Sequence, residues 1–350
     1  MTAPCARHVL IAGYPHFIAE LLVRRILQVE PESRITVLAA RDHGESAPIA
    51  PNRIEYLPAR AIHRGFGLPA PTLRDLRASV TDVYNFVSTY HLAVDKRRAE
   101  DINIQGTRHL LEFARSAPNL VRFNHYSTAF VAGNRNGIVL ETELDQGQAF
   151  RNTFERTKFT AEIAIRRAMR DTPISVYRPS VVVGTSTDGV LSAIDGPRHL
   201  ISAMVETAGR LPVSFPANLD GPFNVVPADF VAQAIHELSI NQRALGETFH
   251  LVDPAPIRIR HAVELIADAA HSLDRVSPTG GRIGLASLLM GKLARAGGNY
   301  LSEFEESVFF SPSNTLQGLH GSGTICPPFH KTVRTLVGAK FTTGASSAVS

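Results

Sequence analysis

His8-Val9-Leu10-Ile11-Ala12-Gly13-Tyr14-Pro15-His16-Phe17 begins with a short, mostly apolar run, turns at Gly13 and leads into Phe17. A run this apolar suits a parallel strand, because helices cover both faces of such a sheet and leave no side for polar residues. Beyond the turn, residues 17–29 place Ile18, Leu21, Leu22 and Ile26 at helical spacing, the pattern of an amphipathic helix. Working outward, the same alternation continues. Residues 34–39, 53–57, 82–87, 122–126 and 174–177 read as strands, and residues 101–115 and 152–170 as helices. Strands alternating with helices at this spacing imply right-handed crossovers and a doubly wound parallel sheet, the α/β Rossmann class.

After Gly184 the pattern changes. Residues 185–221 are rich in Gly, Pro and Ser and read as irregular structure on the substrate side. Residues 224–238 read as a return to the core and 248–252 as a late strand. The expected organisation is a Rossmann core over 1–184, rejoined by 222–252. A smaller substrate-binding part follows over 185–221 and 253–340, with a mobile tail at 341–350.

Composition narrows the function classes. The 350 residues are 44% hydrophobic and 19% charged, which fits a globular protein and not a disordered one. Lys and Arg exceed Asp and Glu by only 36 to 32, with no long basic run, so a nucleic-acid partner is not expected. The only cysteines are Cys5 and Cys326, which exclude a disulfide framework and a Cys-based zinc site and suit a reducing cytoplasm. No apolar stretch approaches the length of a membrane span, and no metal is expected, because no His pair stands at ligand spacing.

The run Gly147-Gln148-Ala149-Phe150-Arg151-Asn152-Thr153-Phe154-Glu155-Arg156-Thr157-Lys158, closing with Glu162, resembles the active-site helix of extended short-chain dehydrogenase/reductases. More narrowly, it is similar to the thioester reductase and fatty acyl-CoA reductase branch, the male-sterility type. Other pieces resemble that branch in the same order: Asn103-Ile104-Gln105-Gly106-Thr107, Tyr126 to Gly133, Arg178-Pro179-Ser180-Val181-Val182-Val183-Gly184, Val226 to Val231, Gly65-Phe66-Gly67-Leu68 and Cys326-Pro327-Pro328. The likeness extends from about residue 8 to about residue 335.

The chain also departs from that branch. Its phosphate loop has three glycines, and here the matching residues are Gly13, His16 and Ala19. The second glycine gives the pyrophosphate close access to backbone, so an imidazole at position 16 projects into that volume. Where the family has Gly-Asp to hold the adenine, Ala59-Arg60 puts a donor in place of an acceptor. The fourth strand ends Asn85-Phe86-Val87-Ser88, where the family has His and paired alanines. The family acid is a Tyr one helical turn before the Lys, and Phe154 occupies that position, so the usual proton donor is missing.

The resemblance implies that Lys158 is the retained lysine and Thr128 the hydroxyl that holds the substrate carbonyl. His125 and Ser127 stand beside Thr128 as further catalytic candidates, although strand alternation turns them to the face opposite Tyr126 and Thr128. Gly13, His16, Arg41 and Asn103 are the cofactor contacts if a nucleotide binds, with Arg41 placed to meet a 2′-phosphate. With the phenol gone and the loop crowded, the expected function is a non-redox biosynthetic enzyme, an isomerase, cyclase, dehydratase or hydrolase, with no cofactor. Its expected substrate is a small or carrier-bound acyl-thioester-like or polyketide-like molecule. Two alternatives stay open: a non-catalytic ligand sensor or partner protein, and a reductase that binds NADPH in an altered loop. Relatives of this kind pair through the helix that carries the lysine, so a homodimer is expected by analogy.

Overall fold

In chain order the strands are β1 (His8–Tyr14), β2 (Arg34–Ala39), β3 (Ile54–Pro58), β4 (Asp82–Asn85), β5 (Arg122–Tyr126), β6 (Gly137–Val139), β7 (Ile174–Pro179), β8 (Val181–Val183), β9 (Pro222–Phe223), β10 (Val225–Pro227), β11 (Thr248–Leu251), β12 (Ile257–Arg258) and β13 (Val308–Phe310). The helices are α1 (Phe17–Val29), α2 (Ala70–Ser79), α3 (Lys96–Ala99), α4 (Thr107–Arg115), α5 (Thr153–Ala168), α6 (Ala228–Ile240), α7 (Ile259–Ser272), α8 (Ser313–Gly318) and α9 (Phe329–Gly338). The computed structural model describes residues 7–39, 49–50, 52–89, 95–190, 218–273 and 307–339. Arg41, most of 185–221 and the expected tail at 341–350 lie outside the described residues.

Seven strands form the main sheet in the order β11-β7-β5-β4-β1-β2-β3, and every neighbouring pair is parallel. The order reverses between β1 and β4. Ligands of such sheets bind at the carboxyl ends of the strands beside that reversal. The doubly wound α/β expectation therefore holds.

The two faces of the sheet bury separate apolar clusters. Leu22, Val23 and Ile26 of α1 pack with Ala234, Ile235 and Leu238 of α6 on one face. On the other, Leu110 and Ala114 of α4 and Ile165 of α5 pack over Val83, Phe123 and Val176. Each fully buried aliphatic side chain contributes about 1.5–3 kcal/mol relative to exposure. A third cluster joins Val181 and Val183 with Phe223, Val225, Ile259, Ile266, Phe329 and Leu336, so α7 and α9 share an apolar core with β8 and β10.

Two elements differ from the sequence expectation, each for a local reason. Pairing of β4 ends at Asn85, because the Asn85 side chain takes the Val87 amide at 3.0 Å and competes with the ladder for it. The expected helix over 101–115 is interrupted, since Glu100–Gly106 is π-helical before α4 begins. Such widened turns depend on what the backbone packs against, and periodicity does not register them.

Candidate active site

Helix α5 delivers its side chains to the carboxyl end of the sheet. Asn152 caps it, with its side-chain oxygen accepting from the Glu155 amide at 2.9 Å. Helical spacing then turns Phe154, Lys158 and Glu162 inward, and all three are buried. Lys158 donates from Nζ to the Tyr126 carbonyl oxygen at 2.6 Å and is only 1% exposed. Burial pulls its pKa down to about 7, with Glu162 opposing that shift.

Glu162 anchors a buried ionic group. It accepts from Arg178 Nη2 at 2.7 Å, from Arg178 Nε at 3.0 Å and from Ser127 Oγ at 2.5 Å. Arg166 Nε lies 3.4 Å from the same carboxylate. Burial alone would raise this carboxyl, but the two guanidinium groups and the Ser127 hydroxyl hold it at about 2. Arg178 also donates to the Glu143 carbonyl at 2.9 Å, and its Nη1 lies 3.3 Å from His250 Nε2. Glu162, Arg178 and His250 were not expected as site residues. The available signal was the spacing of Glu162, four residues beyond Lys158 and therefore on the same face.

Strand β5 sorts its residues as alternation requires. Tyr126 joins the cluster beneath α1, whereas Phe123, two positions before His125, joins the cluster beneath α4 and α5. His125 is fully buried, and its Nδ1 lies 3.1 Å from Asn85 Nδ2. Because Asn85 Oδ1 already accepts from Val87, Nδ2 is the donor, and the imidazole proton resides on Nε2. Burial, then the Lys158 charge, lowers the His125 pKa to about 3. Ser127 gives its proton to Glu162, so the described hydrogen bonds do not make His125 and Ser127 a nucleophile–base pair.

Thr128 stands two residues beyond β5 and caps the short helical turn Ala129–Ala132, its Oγ1 accepting from the Phe130 amide at 3.3 Å. That role uses the hydroxyl oxygen as an acceptor and leaves its O–H as a donor. Asn103 sits in the π-helical stretch and ties two segments together. Its Oδ1 accepts from the Thr89 amide and its Nδ2 donates to Thr157 Oγ1, both at 2.8 Å.

Across the reversal from β5, Gly13 is the penultimate residue of β1 and has φ 95°. A Cβ built there would lie 2.4 Å from the Phe86 carbonyl carbon, so only glycine lets the turn press on the end of β4. His16 precedes α1 and caps it, Nδ1 accepting from the Ile18 amide at 3.2 Å. Its ring centroid lies 5.1 Å from that of Phe86 and 5.2 Å from that of Tyr126. Desolvation, then the Lys158 charge, holds the His16 pKa at about 3. Arg60 follows β3 as an exposed residue.

The family model described as "Male sterility protein", a model of NAD-binding proteins, matches residues 17–235. The chain belongs to that family. As a male sterility family member it resembles the fatty acyl-CoA reductase wat of Drosophila melanogaster, at 21% identity over 272 residues, 65% of this chain and 53% of that one. Among solved structures it is similar to the terminal R domain from the myxalamid PKS-NRPS biosynthetic pathway, with a TM-score of 0.76 and 22% identity over 97% of this chain and 91% of that one. It is likewise similar to a thiolation-reductase di-domain from an archaeal non-ribosomal peptide synthetase, with a TM-score of 0.72 and 17% identity over 94% of this chain and 74% of that one. The chain spans less than two thirds of the length of the curated relatives it matches.

These findings overturn two expectations. The non-redox reading gave the missing phenol of Phe154 too much weight, since relatives of this family member include a glycine betaine reductase and fatty acyl-CoA reductases. The expectation of no cofactor fails on the same ground, because the matched family is one of NAD-binding proteins. Among the described residues no group of His, Cys, Asp and Glu is placed to hold a metal, and no helix is long and apolar enough to cross a membrane.

Proposed function

We propose that this chain is an NADPH-dependent reductase of a carrier-bound acyl thioester. The observation that carries the reading is Lys158, held under the carboxyl end of β5 beside Thr128 in a family of NAD-binding proteins. Burying a lysine this completely is costly, and a purely structural position would be filled more stably by an apolar residue. The likeness to a thiolation-reductase di-domain supports the carrier-bound substrate.

Against these residues a dinucleotide fits at one end and is obstructed at the other. At the nicotinamide end, Lys158 is the group to hold the ribose and Thr128 the group to hold the substrate oxygen. At the diphosphate end, the His16 ring already takes the Ile18 amide. With Lys158 on the ribose and Thr128 on the substrate oxygen, the hydride for the thioester carbonyl carbon would come from the nicotinamide. The Thr128 hydroxyl then stabilises the charge that develops on the oxygen, and the Lys158 ammonium adds a positive field beside it. Phe154 has no proton to give.

That absence bears unequally on the two possible reductions. The hydride adduct of a thioester collapses by expelling a thiolate, which takes its proton from solvent, and leaves an aldehyde, so the adduct's oxygen needs no proton. Reduction of an aldehyde leaves an alkoxide that does need one. The aldehyde is therefore the favoured product. A cytoplasmic site of action, read from the two-cysteine composition, and a homodimer paired through α5 belong to the same proposal.

The test is to mix purified protein with an acyl-pantetheine thioester and NADPH or NADH. Nicotinamide oxidation is followed by absorbance and the products are identified. Thioester-dependent oxidation that is lost in Lys158→Ala and Thr128→Ala supports the reading. No oxidation at millimolar cofactor, by either the native protein or Phe154→Tyr, overturns it.

A further inference from the structure

The end of α1 is already capped from within. His16 Nδ1 accepts from the Ile18 amide, one of the first donors of the helix and one that an anion bound at this N-terminus would need. The imidazole also rests on two rings. Phe86 and Tyr126 lie 5.1 Å apart by their centroids, and His16 lies at nearly the same distance from each. The three rings come from the ends of three strands and close on one another at the reversal of the sheet.

The backbone around them cannot retreat to make room. The Phe86 amide donates to the Ala12 carbonyl at 2.8 Å, and Gly13 is pressed so closely on the Phe86 backbone that no Cβ would fit. With Nδ1 accepting, the ring proton is on Nε2 and the imidazole is neutral, so it brings no charge to attract a phosphate. The movable part is therefore the His16 side chain.

We propose that His16 is the residue that sets dinucleotide affinity: its imidazole takes the helix donor that the diphosphate needs and must turn out before the dinucleotide can seat. This rests on the reductase reading. It assigns to one side chain the obstruction found at the diphosphate end, and it makes Phe86 and Tyr126 the shelf that holds the ring in place.

The experiment titrates NADPH into the native protein, His16→Gly and His16→Ser, reading nicotinamide fluorescence. Glycine frees the Ile18 amide and removes the ring, whereas serine removes the ring and keeps a cap, so serine reads the ring's part alone, at the lower end of the expected gain, and carries the test if the glycine variant does not fold. Displacing one cap and two ring contacts limits the native affinity, so removing the ring should tighten binding about 10- to 100-fold. Native protein and folded variants that bind NADPH equally tightly, or variants that bind more weakly, overturn the role of His16 and leave the reductase reading standing. Absence of binding at millimolar NADPH in all three overturns both.

Discussion

Replacing Lys158 with methionine removes a charge that the fold buries and keeps most of the side chain's length. In the unfolded chain a lysine titrates near 10.4, whereas Lys158 in the folded protein titrates at about 7. Between these pH values the unfolded chain binds one proton more than the folded protein, so stability rises with pH across that window. Below about pH 7 both states are protonated and the whole penalty is present; above about pH 10.5 it has vanished. At about 1.4 kcal/mol per pKa unit the penalty is on the order of 5 kcal/mol. Methionine also leaves the Tyr126 carbonyl without its donor, a loss of about 1–3 kcal/mol. Lys158→Met should therefore be more stable than the native protein by about 2–4 kcal/mol at pH 6. Urea unfolding followed by circular dichroism from pH 6 to 10 measures this. The advantage should fall by about 1.4 kcal/mol per pH unit once the pH passes 7. A difference that stays flat with pH, or a methionine variant less stable than native at pH 6, refutes the reasoning.

Three further substitutions probe the same site. Glu162→Gln leaves Arg178 and Arg166 without their carboxylate and should cost about 3–5 kcal/mol, read by thermal or urea unfolding. Because Glu162 is held at about 2, the native protein gains stability from it above the ordinary carboxylate range and loses that stability as pH falls from about 4.5 through 2; the Gln variant should lack this acid-sensitive component. Phe154→Tyr restores a phenol one turn before Lys158 and should raise the proportion of alcohol over aldehyde among the products, measured by chromatography. Gly13→Ala forces a Cβ against the Phe86 backbone at positive φ and should cost more than about 3 kcal/mol, seen as a lowered melting temperature or as insoluble protein.

The error over redox chemistry has a physical lesson. Position 154 is visible in the sequence as a lost hydroxyl, and a single lost donor suggests a lost reaction. Yet in the proposed reductase the phenol would serve proton delivery, which a thioester's collapse does not require, whereas Lys158 and Thr128, both kept, would serve binding and charge. Which of these losses matters depends on the substrate, and the residues around Phe154 do not name one.

The sequence by itself determined the strand–helix alternation, the class of the sheet and the residues that depart from the family. These are local properties: apolar runs, helical spacing and the identity of one side chain at one turn. It also showed that an imidazole at position 16 crowds the phosphate loop. Only the tertiary structure decided what that imidazole does. Its shelf is made of Phe86 and Tyr126, far away along the chain, and they meet His16 because β1, β4 and β5 are neighbours in the sheet. The same holds for Lys158, whose partner is a strand carbonyl, and for Glu162, whose charge is met by Arg178 from β7. A hydrogen bond or a ring contact depends on separations of a few ångströms, and those are set by how distant segments pack, which no stretch of chain records alone.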